Sequence, residues 1–275
     1  MIVAALALLA EAPDAAGAPV ADPAPAAQPA AQAQDAAPAG PLPPEIVVSG
    51  IRATKEDPLA ELNGQMYVVT QHVDESVVAP VAFAYGKVVP SPVRTGLRNA
   101  LHNLKTPVLA ANNVLQVKPV GTAKVLARFL INTTLGIGGL IDVAAKKPFN
   151  MPYINNGFGY TLGYYGVKPG PYFFLPLVGP TTLRDALGGI VDAGVNPSLV
   201  GAPLNSPYYT FGAGTVRSLD FRIEFDEKIK EFQNSSNAYI SERAWYLKTR
   251  QDEIDALRGH NAPEAAPAEA APPAK

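Results

Sequence analysis

Cysteine is absent from this chain of 275 residues. That excludes disulfides, thiolate metal sites, a cysteine nucleophile and an acylated cysteine among these residues. Long apolar runs are missing as well. A spanning helix needs about 18 uninterrupted apolar residues, and the nearest approach, FLINTTLGIGGLIDVAA at 129–145, is broken by Asn132, Thr133, Thr134, three glycines and Asp142. Such a segment reads as interfacial, re-entrant or enclosed by protein. Acids are scarce in the centre, where residues 80–184 hold eleven Lys and Arg against Asp142 alone, an imbalance hidden in the whole-chain charge of −2. A basic block set among apolar residues, glycine and proline suits a body lying against anionic lipid.

Chemical signatures are few. The three histidines, His72, His102 and His260, lack metal-binding spacing such as HExxH and read as exposed helix or tail residues. Gly136, Gly138 and Gly139 begin like a dinucleotide fingerprint, but Ile141 stands where the third glycine belongs and no strand precedes them. Walker A and GxSxG sequences do not occur. Asp185 and Asp192 share a helix face without a second catalytic element, so helix-end or ion-pair roles fit them better than acid–base work. Asp142 is expected to cap a helix or pair with a nearby cation. The basic block lacks the signatures of nucleic-acid modules, so no nucleic-acid partner is expected. No metal or cofactor is expected, and the chain reads as not an enzyme.

Both ends are Ala/Pro-rich and bury too little apolar surface to fold. Residues 1–12 resemble a signal-peptide core with small residues at a cleavage site, a disordered apolar N-terminus being the other reading. Residues 13–44 read as linker, 45–259 as the folded domain and 260–275 as tail.

Within the domain, helical spacing marks an element opened by Asp57-Pro58, with Leu59, Leu62, Met66, Val69 and Val73 as its stripe. Residues 77–89 read as a broken helix or a helix plus turn. In the next element Val93, Leu97, Leu101 and Leu104 form an apolar stripe, and Arg94, Arg98, His102 and Lys105 a basic one beside it. That pairing suits a helix in a bilayer surface and equally a soluble bundle. Pro107 opens a helix to Gln116. Val120–Leu135 is apolar over most of its surface and is expected to be enclosed, with Lys124 and Arg128 on one face. From Gly157 to Pro180, glycine and proline punctuate aromatics, which predicts a hairpin-like insert. Thr181-Thr182 should cap a helix bearing Leu183, Leu187, Ile190 and Val191. A charged, solvent-facing helix around Phe221–Phe232 and a last helix ending at Gly259 complete the domain.

EDPLAELNGQMY (56–67), VPSPVRTGLRNALHNLKTPVLAANNVLQVKP (89–119), ARFLINTTLGIGGLIDVA (127–144) and FGYTLGYYGVKPGPYFFLPLVGPTTLRDALG (158–188) resemble the MlaA/VacJ family in order and spacing. SSNAYISERAWYLKTRQ (235–251) is similar to that family's closing helix. Gly157 stands where the family often has an acid, and Asn237-Ala238 where it often has Asp-Pro.

The spacing predicts a mainly α bundle of about seven amphipathic helices with few strands, and the resemblance implies that they form a ring. It implies residence in the periplasmic leaflet of the Gram-negative outer membrane, bound to a trimeric porin. Its implied function is to pass mislocalised outer-leaflet phospholipid through an amphipathic channel to a periplasmic carrier, with a non-transporting porin-associated scaffold as the alternative. On that footing Lys124, Arg128, Gly136, Gly138 and Gly139 are expected along the lipid path. Arg94, Arg98 and Lys105 are expected at the leaflet surface, and Gly163, Gly166, Pro169, Gly170, Pro171 and Pro176 in a gating hairpin.

Overall fold

The computed structural model describes residues 51–176, 178–200 and 206–259. The expected export segment 1–12, linker 13–44 and tail 260–275 with His260 lie outside the described residues. The elements run α1 (Ala60–Val73), α2 (Ala79–Val88), α3 (Ser91–Leu104), α4 (Thr106–Leu115), α5 (Pro119–Thr134) and α6 (Phe158–Tyr164). Strands β1 (Tyr172–Leu175) and β2 (Gly179–Thr182) follow, then α7 (Leu183–Val200), α8 (Pro207–Glu224), α9 (Asp226–Gln233) and α10 (Ala238–Arg258). The fold is mainly helical, with ten α-helices among the described residues rather than about seven.

Local chemistry sets the divisions. A π-helical turn, Asp74–Val78, separates α1 from α2. Pro92, Pro107 and Pro119 sit in the first turns of α3, α4 and α5, where a missing N–H breaks no helical hydrogen bond. The Thr182 hydroxyl accepts the Asp185 N–H at 3.3 Å at the start of α7, and Asn237 caps α10 through the Ile240 N–H at 3.1 Å. Gly259, at φ +80°, closes α10 in the left-handed conformation. Asp57, expected as a helix cap, is instead fully buried, and Leu59 is the N-cap of α1 without a side-chain bond.

The hairpin is narrower than the sequence suggests. Its antiparallel register runs from Tyr172 opposite Thr182 to Leu175 opposite Gly179, while Phe158–Tyr164 is the helix α6. Tyr172 and Phe174 of β1 form the apolar cluster with Tyr67, Ala238 and Tyr239. Edge-to-face ring pairs at 5.2 and 5.9 Å join Tyr67 to Phe174 and Tyr239, each contributing roughly 1 kcal/mol beyond buried area. The hairpin is thus pinned into the core.

Elsewhere the helices are turned polar side inward. On α1 the expected stripe of Leu59, Leu62, Val69 and Val73 is exposed, at 37 to 50 %, while Asn63, Tyr67 and Gln71 are buried. On α7, Leu183, Leu187, Ile190 and Val191 are likewise exposed and Arg184 is buried. Helix α5 corrects the expectation of enclosure: Leu126 and Leu130 are exposed and its one buried residue is Asn132. The same apolar stripes exist as read, with the opposite face packed.

The basic stripe of α3 also points inward. Arg94 and Arg98 pair with buried Asp220 at 3.3 and 3.7 Å, and Arg98 also pairs with Glu224. Their side chains are 17 and 19 % exposed, so they join α3 to α8 rather than presenting a free cationic surface. The same contacts correct the solvent-facing reading of the charged segment, which also breaks at Phe225 into α8 and α9. Phe232 is buried and Phe225 meets Trp245 edge-on at 6.0 Å.

One titration arises in the core. Burial pushes the Glu242 carboxyl up to about 7, and its charge in turn raises the Tyr67 and Tyr172 phenols after burial. The folded chain therefore holds this proton at pH values where the unfolded chain has released it. Stability should fall as pH rises from about 4.5 to about 7, and Glu242→Gln should flatten that dependence and raise the thermal midpoint at pH 8. Midpoints recorded across pH 5–8 for both proteins test this.

Candidate functional site

Helices α3, α4 and α5, the 142–156 loop and the last turn of α10 enclose a cavity of about 540 Å³, a size typical of small-ligand sites. Gly121, Lys124, Val125, Arg128 and Asn132 line it from α5. Their spacing places them on one helical face. Leu109, Asn113, Ile154 and Leu257 line other parts of the wall. Lys118, Lys124, Arg128 and Arg258 supply positive charge, and Asp142 is the one lining carboxylate among the described residues. The lining therefore combines apolar side chains, amides and excess cations.

Each cation is held differently. The Arg128 guanidinium donates to Asp142 at 2.9 Å and to the Met151 carbonyl, which fixes the loop after α5. Asp142 also accepts from Asn132 Nδ2 at 2.9 Å and from the Ala145 N–H at 3.2 Å, so it pairs with a cation as expected but holds a turn rather than capping a helix. Lys118 donates to the Leu257 carbonyl and lies 4.4 Å from the Tyr164 ring centroid. Burial lowers its pKa. Arg258 donates to the Tyr164 carbonyl at 3.2 Å and pairs with Asp255 at 3.3 Å. Lys124 is exposed at the rim, unpaired among the described residues.

His102 and Tyr153 stack on one cavity wall, with centroids 4.0 Å apart and planes 6° apart. This corrects the reading of His102 as an exposed residue. Burial, then Arg217, Lys105, Arg98 and Arg128, depress its pKa to about 4, so it is neutral at pH 7. Lys105 is not at an outer surface either: it donates to Asn155 Oδ1 at 2.9 Å, and burial, followed by Arg217, lowers it to about 8. Asn155 donates to the Tyr160 hydroxyl at 3.0 Å, which donates to Glu253 at 2.7 Å. A polar chain thus runs from α3 through α6 to α10.

A second network supports the cavity from behind. Gln116 Nε2 donates to Asn156 Oδ1 and Thr161 Oγ1, each at 2.9 Å, and Thr161 donates to Asn112 at 2.6 Å. Asn112 and the Phe158 N–H both donate to Asp192, at 3.2 and 3.0 Å. A Cβ on Gly157 would lie 2.3 Å from Asp192 Oδ2, so the glycine makes room for an α7 carboxylate at the N-terminus of α6. Asp185 is occupied by Arg184, Arg250 and Tyr246 at 3.0, 3.2 and 2.8 Å. Both aspartates hold the fold together.

The expected site residues divide accordingly. Lys124 and Arg128 line the cavity, whereas Gly136, Gly138 and Gly139 do not. The last of these, at φ +96°, packs where a Cβ would be 2.7 Å from Asn103, itself a lining residue. None of Gly163, Gly166, Pro169, Gly170, Pro171 and Pro176 lines the cavity, and only Pro176 lies within the 172–182 hairpin. Gly163 belongs to α6, where a Cβ would sit 2.6 Å from the Ile254 side chain. Lys118, Arg258 and Tyr153 escape sequence reasoning because long-range folding alone brings them together.

The molecule is thus a mainly helical body with apolar faces turned outward on α1, α5 and α7 and a cationic, amphipathic cavity. The chain belongs to the MlaA lipoprotein family, whose model matches residues 55–253. It is 38 % identical over 196 residues to the intermembrane phospholipid transport system lipoprotein MlaA of Escherichia coli K12, covering 70 % of this chain and 76 % of that one. The protein of the same description from Haemophilus influenzae is 31 % identical over 205 residues, covering 73 % and 80 %. A solved structure described as "Structural basis for maintenance of bacterial outer membrane lipid asymmetry" superposes with a TM-score of 0.65 at 34 % identity, covering 72 % of this chain and 98 % of that one.

Proposed function

We propose that this chain moves mislocalised phospholipid from the outer leaflet of the Gram-negative outer membrane inward to a periplasmic carrier, maintaining lipid asymmetry. The cavity carries this reading. An amphiphile needs apolar wall for its acyl chains and polar partners for its head group, because either part alone is costly to transfer into the wrong surroundings. Leu109, Val120, Val125, Ile154 and Leu257 offer the first, and Lys118, Lys124, Arg128 and Arg258 the second. A head group at these cations leaves the acyl chains directed along the apolar lining.

The outward apolar faces of α1, α5 and α7 support seating in the periplasmic leaflet, beside a trimeric porin. No helix among the described residues is long and apolar enough to cross a membrane. Exposed Leu62, Leu130 and Leu187 would each bury side-chain area in the acyl boundary, contributing roughly 1.5–3 kcal/mol per fully transferred side chain. Attachment then rests on many short faces.

Lys124 gives the functional test, because its rim position leaves the fold intact when it is changed. Deleting the gene should raise surface-exposed phospholipid, and the natural chain should reverse the rise. Lys124→Glu should leave it close to the deletion level, since a carboxylate at the mouth repels the lipid phosphate. Full rescue by Lys124→Glu would instead favour a porin-associated scaffold that needs no lipid path, and no rise on deletion would overturn the asymmetry role.

A further inference from the structure

Resting on the cavity as a lipid path, we propose that it selects phospholipids with net negative head groups, phosphatidylglycerol over phosphatidylethanolamine. The carrying observation is an imbalance in how its charges are compensated. Arg128 is paired with Asp142 at 2.9 Å and Arg258 with Asp255 at 3.3 Å. Lys118 has only the Leu257 carbonyl and the face of Tyr164, and Lys124 has no carboxylate partner among the described residues. Asp142, by contrast, has its charge paired with Arg128 and also accepts from Asn132 and the Ala145 N–H. The lining holds two uncompensated cations and no uncompensated anion.

A phosphodiester placed on Lys118 and Lys124 satisfies one unit of that charge and leaves one over. An ethanolamine head group would then bring its ammonium among cations, where the one lining carboxylate among the described residues, Asp142, is already paired with Arg128. A glycerol head group carries no such charge, and its hydroxyls both donate to and accept from amides such as Asn99 and Asn150, which line the cavity. Rejection of the ammonium, more than attraction of the phosphate, sets the preference. Lys118 and Lys124 are therefore its specificity-determining residues.

The test titrates purified full-length protein in non-ionic detergent with dihexanoyl phosphatidylglycerol, dihexanoyl phosphatidylethanolamine and inorganic phosphate in separate arms. Phosphatidylglycerol should bind about tenfold more tightly than phosphatidylethanolamine. Lys124→Gln, a rim substitution, and Lys118→Gln should each shrink that ratio towards unity, while inorganic phosphate at equal concentration displaces neither lipid. Equal affinity for the two lipids in the natural chain overturns the selectivity and leaves the lipid path standing. Absence of binding by both lipids removes the path and the selectivity together. Displacement by inorganic phosphate assigns the cations to a free anion and overturns the proposal as well.

Discussion

Asp57→Ala should destabilise the fold by about 3–5 kcal/mol, the loss expected when one partner of a buried ion pair is removed. Asp57 is fully buried, and its carboxylate accepts from Asn63 Nδ2 at 2.7 Å, from Arg243 at 2.6 Å and from the Tyr239 hydroxyl. Asn63 in turn accepts the Phe174 N–H at 3.0 Å and donates to the Tyr172 carbonyl at 3.1 Å. One carboxylate thus joins the entry to α1, strand β1 and helix α10. Removing it leaves a half-buried guanidinium and a buried phenol without their acceptor, which costs more than the lost bonds themselves. Denaturant unfolding measures the effect. Replacing Arg243 by Met in the same chain should restore part of the stability, because the uncompensated charge goes with it. Should Asp57→Ala shift unfolding by less than 1 kcal/mol, the carboxylate is only a surface-strength contact and the junction is held by its rings.

Gly188→Ala should cost about 3 kcal/mol, against the usual gain from replacing a helical glycine. A Cβ at 188 would lie 2.2 Å from the Gly159 nitrogen and 2.5 Å from its Cα, so helix α7 meets α6 backbone to backbone. No side chain is there to swing aside. Gly159 is confined on its own account, since a Cβ on it would be 3.1 Å from the Asp185 Cα. Separating the helices would also draw Asp192 from the Phe158 N–H and loosen the Thr161–Gln116–Asn156 bonds behind the cavity. Gly189 supplies the control. It has open space around its Cβ position, so Gly189→Ala should stabilise by up to about 1 kcal/mol through helix propensity alone. Thermal or chemical unfolding of the two variants should differ in sign, and equal shifts would mean that the helices slide apart freely.

Much of the local structure was legible because it depends on near neighbours. Pro107 placed the start of α4, Thr182 caps where expected, and Gly259 closes the last helix. The pairing of Lys124 with Arg128 on one face was also readable, since helical periodicity alone decides which residues share a face. Several ordered sequence blocks identified the family before any contact was known.

Orientation was not legible in the same way. A stripe of Leu and Val shows that a helix has two faces, and in water the apolar one turns inward. Here Leu62, Leu130 and Leu187 face out while Asn63, Asn132 and Arg184 are buried, the arrangement suited to an apolar surrounding. Partner choice was equally hidden. The basic stripe of α3 could meet lipid or acids, and only folding brings Asp220 and Glu224, more than a hundred residues later, against Arg94 and Arg98. The hairpin became a core element because Tyr172 and Phe174 find Tyr67 and Tyr239.

By itself, then, the sequence determined the helical class, the family, the breaks between elements and a central excess of positive charge. Those are properties of composition and of neighbours along the chain. Tertiary structure decided which face of each helix is inside, which cations are neutralised by acids, and which remain uncompensated at a cavity. Such outcomes depend on contacts between distant residues, and an excess of cations in a segment carries no record of where each will find its counter-charge.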